Sequence, residues 1–298
     1  MSSPAKQLVI DVMRSEIWYS DGSVVLQVQN TQFRPHDQPT IDGCPVIELQ
    51  DSVKDVEYLL KALYNPDLFN NKAIPFAYIA SFVRLGRKYE FRNLFNIAVE
   101  RLAFENPTTL KEYDALIDTL KLAAGHSTTR IVDYRGIRQD TLTLARENGL
   151  LAILPCAYFR VVLRGAADIF KSTLQPDGTT SHLSCTDHRI CAVGLEKVLA
   201  TQFRPDSLLG WVILWKPTDG CKSVSTCQSW RDSFLPRILS LAGSKVYSLS
   251  VMSFEDAQLC ESCQEQAKPA LIAGRTKFWE DLPSFFDLPP WSELRNDI

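Results

Sequence analysis

The segment 17–34 constrains the fold more than any other part of the sequence. Two runs rich in β-branched and aromatic residues flank Asp21-Gly22. Asp-Gly favours a tight two-residue turn, because both residues tolerate the positive φ that such a turn needs. In the second run Val24, Leu26 and Val28 alternate with polar residues, so they fall on one face of a strand. The pattern predicts a β-hairpin joined at Asp21-Gly22.

Helical periodicity follows these strands. Apolar residues recur at helical spacing in eight segments, which are 52–63, 76–89, 91–104, 110–122, 140–154, 157–162, 190–203 and 229–241. Ser52 or Asp51 is expected to cap the first helix, and Thr108 or Thr109 the fourth. We expect Pro155 to separate the fifth from the sixth. A short strand over 45–49 precedes the first helix, so the sequence predicts an α+β protein.

Length and charge restrict the number of domains and the kinds of partner that the chain can have. The chain has 298 residues, enough for about two domains. Its net charge of −3 and pI of about 5.9 argue against nucleic acid as a partner. No signal-peptide run and no stretch of about 18 apolar residues is present, so no membrane association is expected. We expect a cytoplasmic or nuclear protein whose eight cysteines are free thiols or metal ligands.

Five sequence blocks occur in an order that resembles a known family. They are Thr-Gln-Phe-Arg-Pro-His at 31–36, Ile-Asp-Gly-Cys-Pro-Val-Ile-Glu-Leu at 41–49, Val-Arg-Leu-Gly-Arg-Lys-Tyr at 83–89, Pro-Thr-Thr-Leu at 107–110 and Leu-Leu-Ala-Ile-Leu-Pro-Cys-Ala at 150–157. Together they resemble the BTB/POZ domain in the form found in a large group of fungal proteins. The resemblance implies a BTB/POZ-like domain over 11–104, a small sheet plus helices. A mostly helical domain over 105–298 would follow it.

The resemblance also implies a role, and the sequence departs from the family pattern in one segment. BTB/POZ domains are protein–protein interaction modules, so we expect an adaptor that binds other proteins, with self-association through the BTB-like domain. Adaptors of this family act in ubiquitin ligation or transcriptional control. Only residues 36–40 stand where the family carries about two helices, which puts dimerisation and binding to cullin scaffolds in question. Their loss should leave apolar surface exposed, at about 25 cal/mol per Å², and make 11–104 marginally stable.

Four cysteines in the C-terminal half have the spacing of a metal site. Cys221 and Cys227 form one close pair, and Cys260 and Cys263 form a CxxC pair 32 residues further on. Two such pairs brought together would supply the four thiolates of a tetrahedral structural zinc site. Four unconnected thiols are the alternative interpretation, and the sequence leaves both open.

A second run of metal-ligating residue types is less suited to binding one ion. His182, Cys185, His188 and Cys191 are spaced by three. On a helix such a run drifts by about 60° per step, so the four side chains cannot converge. We therefore expect this spacing to be coincidental.

No catalytic motif is found in the sequence. It contains no nucleophile elbow, P-loop, dinucleotide-binding fingerprint or HExxH motif. Cys156 lies in an apolar run and is expected to be a buried structural thiol. We predict that the chain is not an enzyme. The alternatives are a zinc-dependent enzyme that uses Cys/His groups of the C-terminal half, and a non-functional product of the shortened domain.

The segment 278–291 is rich in aromatic residues and proline. It is expected to pack back on the C-terminal domain. A recognition segment is the alternative, because Trp and Phe anchor many interfaces.

Overall fold

The chain folds as an α+β protein with two compact units. The computed structural model describes residues 13–19, 24–34, 46–122, 127–207, 209–242, 246, 249 and 259–296. The first unit is Met1–Arg101 together with Thr128–Val132, and the second is Leu102–Ser127 together with Asp133–Ile298. The sequence-based domains, 11–104 and 105–298, differ from these units chiefly in the segment Thr128–Val132. A β-bridge between Ile74 and Ile131 ties that segment to the first unit.

The first unit contains a four-stranded sheet. Its strands are β1 (Met13–Trp18), β2 (Val25–Val28), β3 (Thr31–Arg34) and β4 (Val46–Leu49), in the order β1-β3-β2-β4. β2 and β3 are antiparallel, whereas β1 is parallel to β3 and β4 is parallel to β2. The predicted strand over 45–49 is thus confirmed as β4.

The hairpin of the sheet is formed by β2 and β3, one connection further along the chain than predicted. β1 pairs with β3 and not with β2, so the prediction of a hairpin joined at Asp21-Gly22 was wrong; these two residues lie outside the described ones. The tight connection is Gln29-Asn30, where Gln29 takes a φ of 51°. This pairing leaves the side chain of Val28 fully buried. Strand pairing depends on contacts across the sheet as well as on the turn, so the turn sequence alone does not fix it.

The sheet exposes several apolar side chains. Met13 on β1 is 65% exposed, and Val46 and Ile47 on β4 are 52% and 48% exposed. β1 and β4 are the two edge strands of the sheet. The shortened segment 36–40 lies outside the described residues.

Three helices complete the first unit and lead into the second. They are α1 (Val53–Tyr64), α2 (Phe76–Lys88) and α3 (Arg92–Glu105), and they confirm the predicted helices to within one residue at each end. The Oγ of Ser52 accepts a hydrogen bond from the N–H of Asp55, as an N-cap does. The hydroxyl of Ser81 on α2 in turn donates to the main-chain oxygen of Asp55 at 2.6 Å. This contact joins α1 to α2.

The second unit is mostly helical, with one two-stranded sheet. Its helices are α4 (Leu110–Leu122), α5 (Ile137–Glu147), α6 (Leu154–Val162), α7 (Ala166–Ile169), α8 (Cys185–Thr201), α9 (Gly210–Leu214), α10 (Val224–Ala242) and α11 (Glu261–Phe285). β5 (Thr173–Leu174) and β6 (Thr180–Ser181) form the sheet. Thr109 caps α4 by accepting from the N–H of Glu112, while the Glu112 carboxylate accepts from the N–H of Thr109.

The centre of the second unit is α6, all of whose residues are buried. A helix that is apolar on every side belongs inside a core. Pro155 lies in the first turn of α6 and starts this helix, so the prediction that it divides two helices was wrong. The division falls at Asn148 and Gly149, where Gly149 has a φ of 66° that ends α5. Proline lacks only an N–H that the first turn leaves unpaired anyway.

The aromatic segment packs back on the second unit, as predicted. Phe278, Trp279, Phe285 and Phe286 are all buried. The indole N–H of Trp279 donates to the main-chain oxygen of Thr108 at 3.1 Å. None of the helices in the described residues has the length and hydropathy to cross a membrane.

Candidate metal centre

Two helix N-termini bring the four cysteines together. Cys221 lies in the turn before α10, and Cys227 in its first turn. Cys260 is the N-cap of α11, and Cys263 follows in its first turn. Residues three apart in a first helical turn face the same side, so the CxxC pair can present both thiols to one point. The sequence-predicted set is therefore the set that the fold assembles.

The sulfur positions suit one bound metal ion. The four Sγ atoms all lie within 4.8 Å of one another, and those of Cys221 and Cys260 are 3.6 Å apart. Four thiolates around a tetrahedral ion at about 2.3 Å place their sulfurs about 3.8 Å from each other. All four cysteines are free thiols. The cluster could thus hold a metal ion with little rearrangement.

Main-chain N–H groups surround the sulfurs. The N–H of Cys260 donates to the Sγ of Cys227 at 3.3 Å. The N–H groups of Cys263 and Lys222 lower the pKa of the Cys260 thiol to about 6. Burial raises the pKa of the other three thiols. A cluster with one easily ionised thiol and N–H···S contacts has the outer shell of a thiolate metal site.

An apolar wall shields the cluster. Cys227 and Cys263 are fully buried, whereas Cys221 and Cys260 are partly buried. Trp215 packs edge-on against Trp230 with ring centroids 6.1 Å apart. The guanidinium of Arg231 donates to the main-chain oxygens at the end of α9, which fixes α9 against α10. The cysteines thus lie at the junction of α9, α10 and α11.

The arrangement is chemically closed. Four cysteine ligands fill a tetrahedral shell, whereas catalytic zinc sites keep one position for water or substrate. The four thiols are the one group of three or more metal-ligating side chains that lies close enough together within the described part of the chain. The geometry therefore favours a structural role for any bound ion.

The other cysteines and histidines lie elsewhere. Cys185 is exposed and Cys191 is buried on α8, so the run that begins at His182 does not converge on one point. The ring of His188 packs against Phe170. Burial raises the pKa of the Cys156 thiol to about 12, which suits the predicted buried structural thiol.

Sequence reasoning missed the outer parts of the centre. Thr218 places its hydroxyl 3.0 Å from that of Ser262 and 4.0 Å from the Sγ of Cys263. A lone threonine carries no sequence signal, so only the fold shows that Thr218 lies beside the cluster.

Comparisons of the chain with protein-family models, with curated proteins and with solved structures found no match.

Proposed function

We propose that this chain is a non-catalytic protein-interaction module of BTB/POZ-like type, an adaptor whose C-terminal unit is held together by a structural zinc ion. The observation that carries the structural-zinc part of the proposal is the mutual approach of four cysteine sulfurs to within 4.8 Å. Zinc is the ion of choice for four thiolates in a closed tetrahedral site.

The position of the cluster supports a structural role for the ion. The cysteines join the start of α10 to the start of α11, and 32 residues separate the two pairs. A bound ion would close this loop and hold the apolar residues of α9, α10 and α11 against each other. Because such a site is not preformed in an unfolded chain, the binding free energy of the ion adds to the folding free energy.

The interaction role rests on the first unit. Its described elements are four strands followed by helices, which is compatible with the small sheet plus helices that the resemblance implies. Both edge strands of the sheet carry exposed apolar side chains, namely Met13 on β1 and Val46 and Ile47 on β4. Exposed sheet edges pair readily with other chains unless they are protected. A second copy of the chain or another protein would bury this surface.

Native mass spectrometry of the full chain tests both parts of the proposal. We expect one zinc ion per chain, which a chelator removes. We also expect a mass that corresponds to more than one chain, as self-association predicts. Cys263→Ser should abolish zinc binding, whereas Cys185→Ser, which changes an exposed cysteine on α8, should retain it. A wild-type chain without zinc after growth in zinc-supplemented medium would contradict the structural-zinc part. A monomer that captures no partner would contradict the interaction part.

A further inference from the structure

A cavity of about 250 Å³ lies in the second unit, away from the cysteine cluster. It is bordered by the segment before α5 and the start of α5, by the end of α6 and Arg164 two residues beyond it, and by α7 with the residues that follow it. Cationic side chains dominate its charged lining, namely Arg135, Arg138, Arg164 and Lys171, against the carboxylates of Asp133 and Asp168. No motif in the sequence signals this site, because its residues come from separate elements.

Both carboxylates have partners of their own. Asp133 accepts hydrogen bonds from the N–H of Ser127 at 3.0 Å and from its hydroxyl at 2.5 Å. Asp168 accepts from the Nε of Arg164 at 3.2 Å. The positive charge of the cavity is thus only partly neutralised.

Three of the cations form no close ion pair among the described residues. Among the described residues, Arg135, Arg138 and Lys171 make no ion pair with a carboxylate within 4.0 Å. Arg135 and Lys171 are exposed, whereas Arg138 is partly buried. The cavity therefore has one partly buried guanidinium with two exposed cations near it.

Arg138 is the most informative of these residues. Its Nε is buried and has no hydrogen-bond partner among the described residues. Burial, and then the charges of Arg160 and Arg164, lower the pKa of its guanidinium to about 10, so it stays charged at neutral pH. A partly buried guanidinium with an unpaired N–H is unfavourable, although the nearby charge of Asp133 offsets part of this cost. An anion in the cavity would offset the charge of this guanidinium.

We infer that this cavity binds a small dianionic molecule, with the phosphate group of a small phosphorylated compound as the best match. Arginine guanidinium groups recognise phosphate through paired, charge-assisted hydrogen bonds. The volume lies just below the range of about 300–1,000 Å³ of drug-sized ligand pockets, which suits a small ligand. The chain as a whole carries a net charge of −3, so this positive charge is a local feature.

Isothermal titration of the full chain with inorganic phosphate at low salt tests the inference. We expect saturable binding with a Kd below about 1 mM. Arg138→Gln should weaken this binding at least tenfold, and Lys171→Gln severalfold. Arg189→Gln removes an exposed arginine on α8 outside the cavity and should leave the Kd unchanged. Circular dichroism of each variant reports whether it folds.

Three results would overturn the inference. The first is no saturable heat with phosphate for the folded wild-type chain. The second is equal loss of binding in Arg189→Gln and Lys171→Gln, which would indicate diffuse surface charge. The third is displacement of phosphate by heparin at far lower concentration, because that would indicate a polyanion surface. Since Lys171 is exposed, its variant keeps the test valid if Arg138→Gln does not fold. Zinc content does not enter the readout, so the two proposals can fail separately.

Discussion

The Sγ atoms of Cys221 and Cys260 lie 3.6 Å apart, although 38 residues separate them in the sequence. This distance is far longer than a disulfide bond of about 2.05 Å and close to the sulfur spacing around a tetrahedral ion. It connects the turn before α10 to the N-cap of α11. The contact also includes the two less buried members of the cluster, which places any bound ion near the edge of an apolar core.

Cys263→Ser is expected to remove the metal and destabilise the second unit. Cys263 is fully buried at the start of α11, and a serine there offers a poorer ligand in an apolar wall. We expect no bound zinc and a loss of about 3 kcal/mol or more in the free energy of unfolding. The measurements are elemental analysis and urea denaturation. A chelator should narrow the difference between wild type and variant, while Cys185→Ser should behave as wild type.

Lowering the pH is expected to release the metal. Thiolates bind the ion and thiols do not, so protons compete with it and the apparent affinity falls as the pH falls. We expect full occupancy at pH 7.5 and release as the pH is lowered towards about 5. A chromogenic chelator added after equilibration at each pH measures the released ion. Retention of the ion at pH 4 by the wild-type chain would contradict a four-thiolate site.

Local features of the fold were predictable from the sequence, and non-local ones were not. The bounds of α1 and α4 follow from apolar spacing and from the caps Ser52 and Thr109, which act within a few residues. The partner of β1 depends on packing between strands, and the Asp21-Gly22 signal gave the wrong answer.

The same distinction holds for the two sites. The CxxC spacing of Cys260 and Cys263 identified half of the metal cluster directly. The cavity could not be found in this way, because Arg138 and Lys171 come from separate elements and neither belongs to a motif. Only the fold shows that their charges share one space.

Tyr158→Phe is expected to destabilise the second unit at neutral pH. The Tyr158 hydroxyl donates to Oδ1 of buried Asp187 at 2.6 Å and accepts from Arg146 at 2.8 Å. The substitution removes both hydrogen bonds and keeps the stacking of the ring on Phe286. We expect a loss of about 1–3 kcal/mol, measured by urea denaturation at pH 7. Tyr58→Phe changes a partly buried tyrosine of the first unit, for whose hydroxyl no hydrogen bond is found among the described residues, and serves as the control.

The cost of Tyr158→Phe should shrink at alkaline pH. Burial, and then the hydrogen bond and charge of Asp187, raise the pKa of Tyr158 above its ordinary value. Above pH 10, near the pKa of an unfolded tyrosine, the unfolded chain releases this proton while the folded chain retains it. The free energy of unfolding therefore falls as the pH rises, and the fall should be shallower in Tyr158→Phe. Parallel curves for wild type and variant between pH 9 and 11 would contradict this.

Gly194→Ala is expected to destabilise the protein although alanine is the better helix former. Alanine favours a helix interior over glycine by about 1 kcal/mol. However, a Cβ at position 194 on α8 would clash with Cε1 of Phe286, whose ring is fully buried. We expect overpacking to outweigh the propensity, with a net loss of about 1–3 kcal/mol in urea denaturation. Phe286→Leu should relieve part of this loss in the double variant, so the two substitutions should be non-additive. Additive losses, or a more stable Gly194→Ala, would mean that Phe286 does not press against α8.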